Sequence, residues 1–200
     1  MLFRSLIPPL NKILQVCREV EKTPDQAQYV RLAFVKGMPT KVDDKTLNLV
    51  EIIQLLNKMG AKHGVGVTHH IEDRLVGLKV RGIYEAPAAE IIINAHANLE
   101  KYVCTRNENE FKTEIDTKWS YLCYGALWYE PLMESLNAFI DQVNDKVTGT
   151  VTVKLFKGVA EVVAVETANT IFDEKLATFM KNDTFNQNAS PGFIEIYTLQ

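Results

Sequence analysis

Apolar and polar residues alternate in several short segments, and this period of two is typical of β-strands with one buried face. One such segment, 29–35, is followed by a turn at 36–39 and a returning segment at 40–42. The clearest pair, 149–156 and 160–165, is separated by Lys157-Gly158, as expected for a hairpin. We therefore predict antiparallel hairpins near both ends of the chain.

Between these hairpins the apolar residues recur every three to four positions, which predicts amphipathic helices. The predicted helices cover 48–61, 87–104 and 106–128, and a further helix begins at Pro131. Pro87 suits a first helical position, and Thr105 is a plausible N-cap for the third helix. The apolar positions assigned to the buried faces are Leu49, Ile52, Ile53, Leu56 and Met59; Ile91, Ile92, Ala95, Leu99 and Val103; Phe111, Ile115, Trp119, Leu122 and Ala126; and Leu132, Leu136, Phe139, Ile140 and Val143.

Two more strands are predicted at 67–72 and 75–80, joined by a tight turn at Asp73-Arg74. Near the C-terminus, 172–179 reads as a helical turn or a docking loop, and 193–197 reads as a final strand. Strands that come in hairpins and helices that come in a run predict an α+β fold, with a largely antiparallel mixed sheet packed against consecutive helices. We expect an irregular segment at 1–27 followed by one domain over 28–200.

The composition narrows the class of protein. Of 200 residues, 46% are hydrophobic and 24% are charged, and the net charge is −3, with scattered basic residues. These values are ordinary for a globular protein and argue against nucleic-acid binding, which needs clustered Lys and Arg. The three cysteines form no CxxC pair, and Pro8 and Pro9 interrupt the apolar N-terminal run. We therefore expect no membrane span and a reducing, cytoplasmic location.

Most sequence patterns that suggest chemistry fail on inspection. His69 and His70 are adjacent on a predicted strand and therefore point to opposite faces, so we expect no metal site even with His63 nearby. The GVG triplet at 64–66 follows a helix and lacks a third glycine, so a sharp helix-to-strand turn is the better interpretation. The chain contains neither a nucleophile elbow nor a phosphate-binding glycine loop. We assign no catalytic residue.

Glu72 and Tyr84 are the most informative pair, because they lie twelve positions apart in a glycine-dense segment that should fold back on itself. A carboxylate accepts charge-assisted hydrogen bonds from an ammonium or ureido N–H, and a phenol can donate or accept beside it. Together they suit an amino-acid-like ligand. The alternative is structural: Glu72 is then a turn residue paired with Arg74, and Tyr84 is ordinary core.

A set of motifs surrounds these residues and continues along the chain: KHGVG at 62–66, IEDRLVGLKVRGIYEAP at 71–87, YGALWYEPL at 124–132, VTGTV at 147–151, LFKG at 155–158 and FDEKLATF at 172–179. In this order and spacing, the motifs resemble the synthetase domain of argininosuccinate synthase. The resemblance covers about residues 20–197. It implies that Glu72 and Tyr84 bind citrulline. In that family, ATP activates citrulline as an adenylate, and the amine of aspartate then displaces AMP. The roles carried over to Glu72 and Tyr84 are anchoring and orientation.

The departures from the family pattern matter as well. The Ser-Gly-Gly-x-Asp loop that holds ATP is absent from these residues, and Val67 stands where an arginine is usual. We therefore expect ATP to be bound by a separate domain, and the chain alone to be inactive. The sequence leaves open a split enzyme, a truncated or degraded gene, and a non-catalytic assembly or binding module. The family's tetramers and the aromatics Tyr102, Tyr121 and Tyr129 imply a homo-oligomer.

Overall fold

The computed structural model describes residues 13–176, 184 and 186–199, and the alternating segments pair in it as one antiparallel sheet. Its strands run in the order β3-β2-β1-β6-β7. They span Gln28–Val35 (β1), Met38–Val42 (β2), Lys45–Thr46 (β3), Gly149–Phe156 (β6) and Val159–Glu166 (β7). All the pairings between neighbours are antiparallel, so the α+β prediction with hairpins is confirmed.

A second, two-stranded sheet is formed by β4 (Val67–Asp73) and β5 (Lys79–Glu85). The prediction that its second strand covers 75–80 was wrong. Residues 74–78 form the turn instead, with the Arg74 N–H donating to the Leu78 carbonyl at 2.8 Å and Gly77 at φ +78°. The apolar residues of the turn are exposed and do not alternate into a core, which is why their hydrophobicity misled the prediction.

Among the described residues, four long helices accompany the sheets. They are α1 (Leu49–Lys62), α2 (Pro87–Val103), α3 (Arg106–Tyr124) and α4 (Pro131–Asn144), in agreement with the predicted run. Of these, α1 and α2 pack against the larger sheet. Capping boxes begin two of them: Asn48 with Glu51 on α1, and Thr105 with Glu108 on α3. Reciprocal hydrogen bonds of this kind satisfy N–H groups that a helix start would otherwise leave unpaired.

The main core lies between the sheet and helices α1 and α2. The inward positions of β1 and β6 are fully buried against α2, with Leu32, Ile91, Leu99 and Val153 all at 0% exposure. Each such side chain contributes about 1.5–3 kcal/mol relative to an exposed one. A smaller core joins α3 to α4 through Leu122, Met133 and Leu136. The two helices therefore have an apolar core of their own.

Two predictions near the ends of the helical run and of the chain were wrong. Helix α3 ends at Tyr124, and Ala126 follows it in a turn at φ +56°, so Ala126 is not on the helix face. The expected strand at 193–197 is helical, as part of α5 (Ser190–Tyr197), whose first turn contains Pro191, a position that suits proline. The predicted turn or loop at 172–179 lies partly outside the described residues.

The chain forms two compact units, Met1–Asn169 and Thr170–Gln200. The first contains both sheets and helices α1 to α4, and the second contains α5. Of the segment expected to be irregular, 13–27 is described and includes a short 3-10 helix at Val20–Lys22. The division of the chain into a segment 1–27 and one domain over 28–200 stays a prediction. Within the described ranges no helix has both the length and the apolar content to cross a bilayer.

Candidate functional site

The β4–β5 hairpin brings the two predicted ligand-binding residues onto one face. In its register Thr68 lies opposite Tyr84, His70 opposite Gly82, and Glu72 opposite Val80. Because side chains alternate along a strand, these even-numbered positions share a side of the hairpin. The face of the hairpin that carries Glu72 and Tyr84 is called the carboxylate face below.

Tyr84 and Glu72 are in direct contact. The Tyr84 hydroxyl donates a hydrogen bond to Glu72 Oε1 at 2.7 Å, and the phenol ring stacks on the His70 imidazole with centroids 5.4 Å apart. The ring reaches this position by lying over Gly82, where an added Cβ would be only 2.5 Å from Tyr84 Cε2. Gly82 therefore leaves the space that allows a tyrosine on β5 to reach a carboxylate on β4.

Glu72 sits among groups that can carry positive charge. Arg74 Nη2 lies 3.5 Å from Glu72 Oε1, and His70 Nε2 lies 3.7 Å from Glu72 Oε2. The Glu72 side chain is 19% exposed, whereas Tyr84 is 41% exposed, so the pair is open to solvent on one side. The neighbouring Arg74 and His70 reduce the desolvation free energy of a carboxylate that is partly withdrawn from water.

Neighbouring groups also shift the pKa values of Tyr84 and Arg74. The hydrogen bond to Glu72 raises the pKa of the Tyr84 phenol, because deprotonation would lose the donor and place two anions together. Hydrogen bonding with the Tyr124 phenol, together with the charge of Glu72, raises the pKa of Arg74. Tyr84 is therefore protonated at neutral pH and is a donor there, not a base. The arrangement suits binding and orientation of a ligand that carries cationic or N–H donor groups.

The sequence singled out Glu72 and Tyr84, and it paired Glu72 with Arg74 only in the structural alternative. It did not assign His70, Gly82 or Tyr124 to the same place. Period-two spacing from Glu72 reaches His70 within the predicted strand 67–72, whereas Gly82 joins Tyr84 only once β5 is placed at Lys79–Glu85. The structural alternative is partly correct, since Glu72 does lie near Arg74. Tyr84, however, is exposed and not part of the core.

The other histidines lie away from the carboxylate face. His63 is buried at 1% exposure, with its Nε2 3.3 Å from Gln28 Oε1, and burial lowers its pKa. His69 is on the opposite face of the hairpin and accepts a hydrogen bond from Arg81 at 2.6 Å. Among the residues that the structure describes, no three His, Cys, Asp or Glu side chains cluster as a metal site would require.

The fold and this geometry define an α+β domain that presents a carboxylate–phenol pair on an exposed hairpin. Comparison with known proteins identifies the family. The family model of the arginosuccinate synthase C-terminal domain matches residues 4–200. The chain is 45% identical over 194 residues to argininosuccinate synthase of Pyrococcus furiosus, covering 97% of this chain and 47% of that protein.

Two staphylococcal relatives agree. Argininosuccinate synthase of Staphylococcus aureus (strain bovine RF122) is 46% identical over 191 residues, covering 96% of this chain and 48% of the relative. The enzyme of Staphylococcus carnosus is 45% identical over 192 residues, with the same coverage of 96% and 48%. This chain therefore belongs to the argininosuccinate synthase family, as a member of its C-terminal domain. It spans about half the length of the relatives that it matches.

Proposed function

We propose that this chain supplies the citrulline-binding and assembly half of a ligase that joins citrulline to aspartate at the expense of ATP. The observation that carries the proposal is the 2.7 Å hydrogen bond between Tyr84 and Glu72 on an exposed hairpin, in a member of this family. The ligase reaction belongs to arginine biosynthesis. The proposed location remains the cytoplasm.

In the proposed complex, Glu72 accepts hydrogen bonds from the amino end of citrulline. An ammonium group is a better partner for a carboxylate than a neutral phenol, because both members of the pair are then charged. Tyr84 keeps its hydroxyl beside the carboxylate and orients the ligand. Orientation of this kind supplies several kcal/mol of the barrier reduction in two-substrate reactions, about 7–11 in the best intramolecular cases. Neither residue acts as an acid or a base.

ATP does not fit the residues present here. The glycine-rich turn at 64–66 is the one sequence pattern that invited comparison with a phosphate loop. A Cβ at Gly66 would be 2.6 Å from Pro87 N and Pro87 Cα, so the chain's own backbone fills the space beside that turn. Phosphate loops instead leave backbone N–H groups open to the anion. We propose that a separate ATP-binding domain, outside these 200 residues, holds the nucleotide.

Titration with citrulline tests the binding half of the proposal. The isolated chain is expected to bind in the millimolar range, about 4 kcal/mol, because it supplies only part of the site. Glu72→Gln should weaken binding at least about tenfold, since a charged hydrogen bond is lost. Asp73→Asn is the matched control, because Asp73 is the neighbouring carboxylate and lies on the opposite face. Calorimetry that detects no citrulline binding by the wild-type chain would refute this half.

Catalysis is tested separately. The purified chain mixed with citrulline, aspartate and ATP is expected to release no AMP, and adding a family ATP domain should restore release. Turnover by the chain alone would contradict the need for a partner domain.

A specific surface favours a second candidate function, a non-catalytic assembly module. Tyr121 and Trp128, at the end of α3 and just after it, are 60% and 53% exposed, and Tyr129 is 98% exposed. Tyr102, the third aromatic predicted to face a partner, instead packs against the main core. Exposed aromatic surface of this kind favours partner contacts. We therefore propose at least a dimer in solution.

Light scattering and the citrulline titration together separate the two functions. Oligomers with citrulline affinity support the ligase half, and oligomers without it support the assembly module. A monomer at high concentration contradicts the assembly role in both.

A further inference from the structure

Glu85, the residue after Tyr84, binds a segment far away in the chain. Its carboxylate accepts hydrogen bonds from three successive backbone N–H groups, of Gln15 at 2.8 Å, Val16 at 3.1 Å and Cys17 at 2.7 Å. Successive N–H groups that converge on one anion form a nest, an arrangement that binds carboxylates and phosphates. Here the anion is supplied from a position 68 to 70 residues further along the chain.

Further hydrogen bonds connect this region to the start of β4, at the base of the hairpin. The Cys17 thiol donates to the Val65 carbonyl at 3.4 Å, and the Ala86 N–H donates to the Gly66 carbonyl at 2.9 Å. Glu85 itself lies opposite Val67 in the register. Residues 15–17, 65–67 and 85–86 are therefore tied together where β4 begins and β5 ends.

Beyond its base, the hairpin contacts the end of α3 through the hydrogen bond between Arg74 and Tyr124, but its strands add no buried side chain to the core. No residue of β4 or β5 is buried, and the turn residues Leu75 and Val76 are 65% and 78% exposed. A two-stranded hairpin without a covering layer is marginally stable in water. Its orientation relative to α1 and α2 is consequently set chiefly at its base.

We propose that Glu85 is a positioning residue that clamps the segment 15–17 to the base of the β4–β5 hairpin and thereby sets the direction in which Glu72 and Tyr84 are presented. Because side chains alternate, the Glu85 carboxylate lies on the face opposite Tyr84 and does not touch the ligand pair. The clamp itself stands without the proposed function. Only its consequence for citrulline rests on that function.

The clamp requires a carboxylate. Burial opposes ionisation of Glu85, but the hydrogen bonds from Cys17, Gln15 and Val16 outweigh it and lower the pKa of the carboxyl. The same neighbourhood raises the pKa of the Cys17 thiol to about 11, chiefly by burial, so the thiol stays protonated beside the anion. Glutamine is a poor substitute, since it has a single acceptor oxygen and its NH₂ group would face the backbone N–H donors.

Amide exchange and residual dipolar couplings of the full chain test the clamp. In Glu85→Gln, exchange at Gln15, Val16 and Cys17 should accelerate about tenfold or more, because charged hydrogen bonds are lost. In the wild type, the residual dipolar couplings of β4 and β5 should fit the alignment tensor determined from α1 and α2. In Glu85→Gln they should no longer fit it. Glu90→Gln, with the same charge change on the exposed side of α2, should change neither. Unchanged exchange and couplings in Glu85→Gln overturn the proposal.

A measurement on the wild-type chain covers the case in which Glu85→Gln fails to fold. The amide proton chemical shifts of residues 15–17 should change with pH together with the chemical shift of the Glu85 carboxyl carbon. All of them should give the same pKa, and it should be lower than the ordinary glutamate value of about 4.3. Amide chemical shifts at residues 15–17 that do not follow the titration of the Glu85 carboxyl group would overturn the proposal. A chain that passes this test but does not bind citrulline refutes the proposed function alone. The two failures can thus be distinguished.

Discussion

Gly82→Ala should separate Tyr84 from Glu72 without disturbing the rest of the fold. Gly82 does not have a positive φ, so alanine is acceptable to the backbone at this position. Its methyl group, however, would lie 2.5 Å from Tyr84 Cε2 and 3.0 Å from the Tyr84 hydroxyl oxygen. The ring must move, and because it is 41% exposed it can turn toward solvent.

The size of the movement follows from ordinary contact distances. Carbon atoms in contact lie about 3.5–4.0 Å apart, so the ring must retreat by about 1 Å or more. A retreat of about 1 Å toward solvent and away from Glu72 stretches the 2.7 Å hydrogen bond to at most about 3.7 Å, beyond the range of a hydrogen bond. The ring also leaves His70, on which it stacks at 5.4 Å.

The titration of the Tyr84 phenol reports this change. The hydrogen bond to Glu72 is the largest cause of its raised pKa, so in Gly82→Ala the pKa should fall toward the usual value of about 10. Carbon NMR of Cζ-labelled tyrosine, followed from pH 8 to 12, measures it. Gly192→Ala is the control, since a methyl there meets nothing within 4 Å. A Tyr84 titration identical to that of the wild type would refute the proposed role of Gly82.

Three further outcomes are expected. Gly66→Ala should destabilise the fold by about 3 kcal/mol in chemical denaturation. Alanine is strained at φ +82°, and its methyl group would lie 2.6 Å from Pro87 N. A variant as stable as the wild type would contradict this prediction. Lys112→Met should lower the free energy of unfolding by about 3 kcal/mol in the same assay. The substitution leaves the buried Glu100 carboxylate without the ammonium group 3.1 Å away. An unchanged free energy of unfolding would mean that the ion pair is dispensable for stability. Burial opposes ionisation of Glu100, but His96 and Lys112 lower its pKa, so the stability that it contributes is present above about pH 4.3 and is lost as the pH falls through the lower folded value. Glu100→Gln should therefore flatten the acid limb of the stability curve, and a limb as steep as that of the wild type would contradict the assignment.

Much of the fold could be predicted because its signals are local. Helix α3 is an example: its start was predicted from Thr105 as the N-cap, and Thr105 forms a capping box with Glu108. The hairpin of β6 and β7 likewise follows from alternation around Lys157-Gly158. The errors lie where hydrophobicity has no local period to interpret, as in the exposed turn at 74–78 and in the apolar segment that forms α5.

The candidate site was predicted in part. The sequence pointed to Glu72 and Tyr84, through chemistry and through resemblance to a family that the comparisons confirm. Their contact depends on the register of the hairpin. A slip of one residue would place the side chains of one strand on the other face and separate the two groups. His70 shares a face with Glu72 already in the predicted strand 67–72, but Gly82 could not be assigned before that register was known. Arg74 and Tyr124 come together only when the hairpin turn and the end of α3 are placed in space.

Local periodicity and capping residues were enough to establish the helices, the hairpins of the larger sheet and the presence of a carboxylate and a phenol in one segment. Only the tertiary structure decided that these two groups touch, and that Glu85 fastens the hairpin to residues 15–17. The physical reason is distance along the chain. A pattern records what a residue's immediate neighbours require, whereas a contact across 68 residues exists only after the backbone has brought donor and acceptor together.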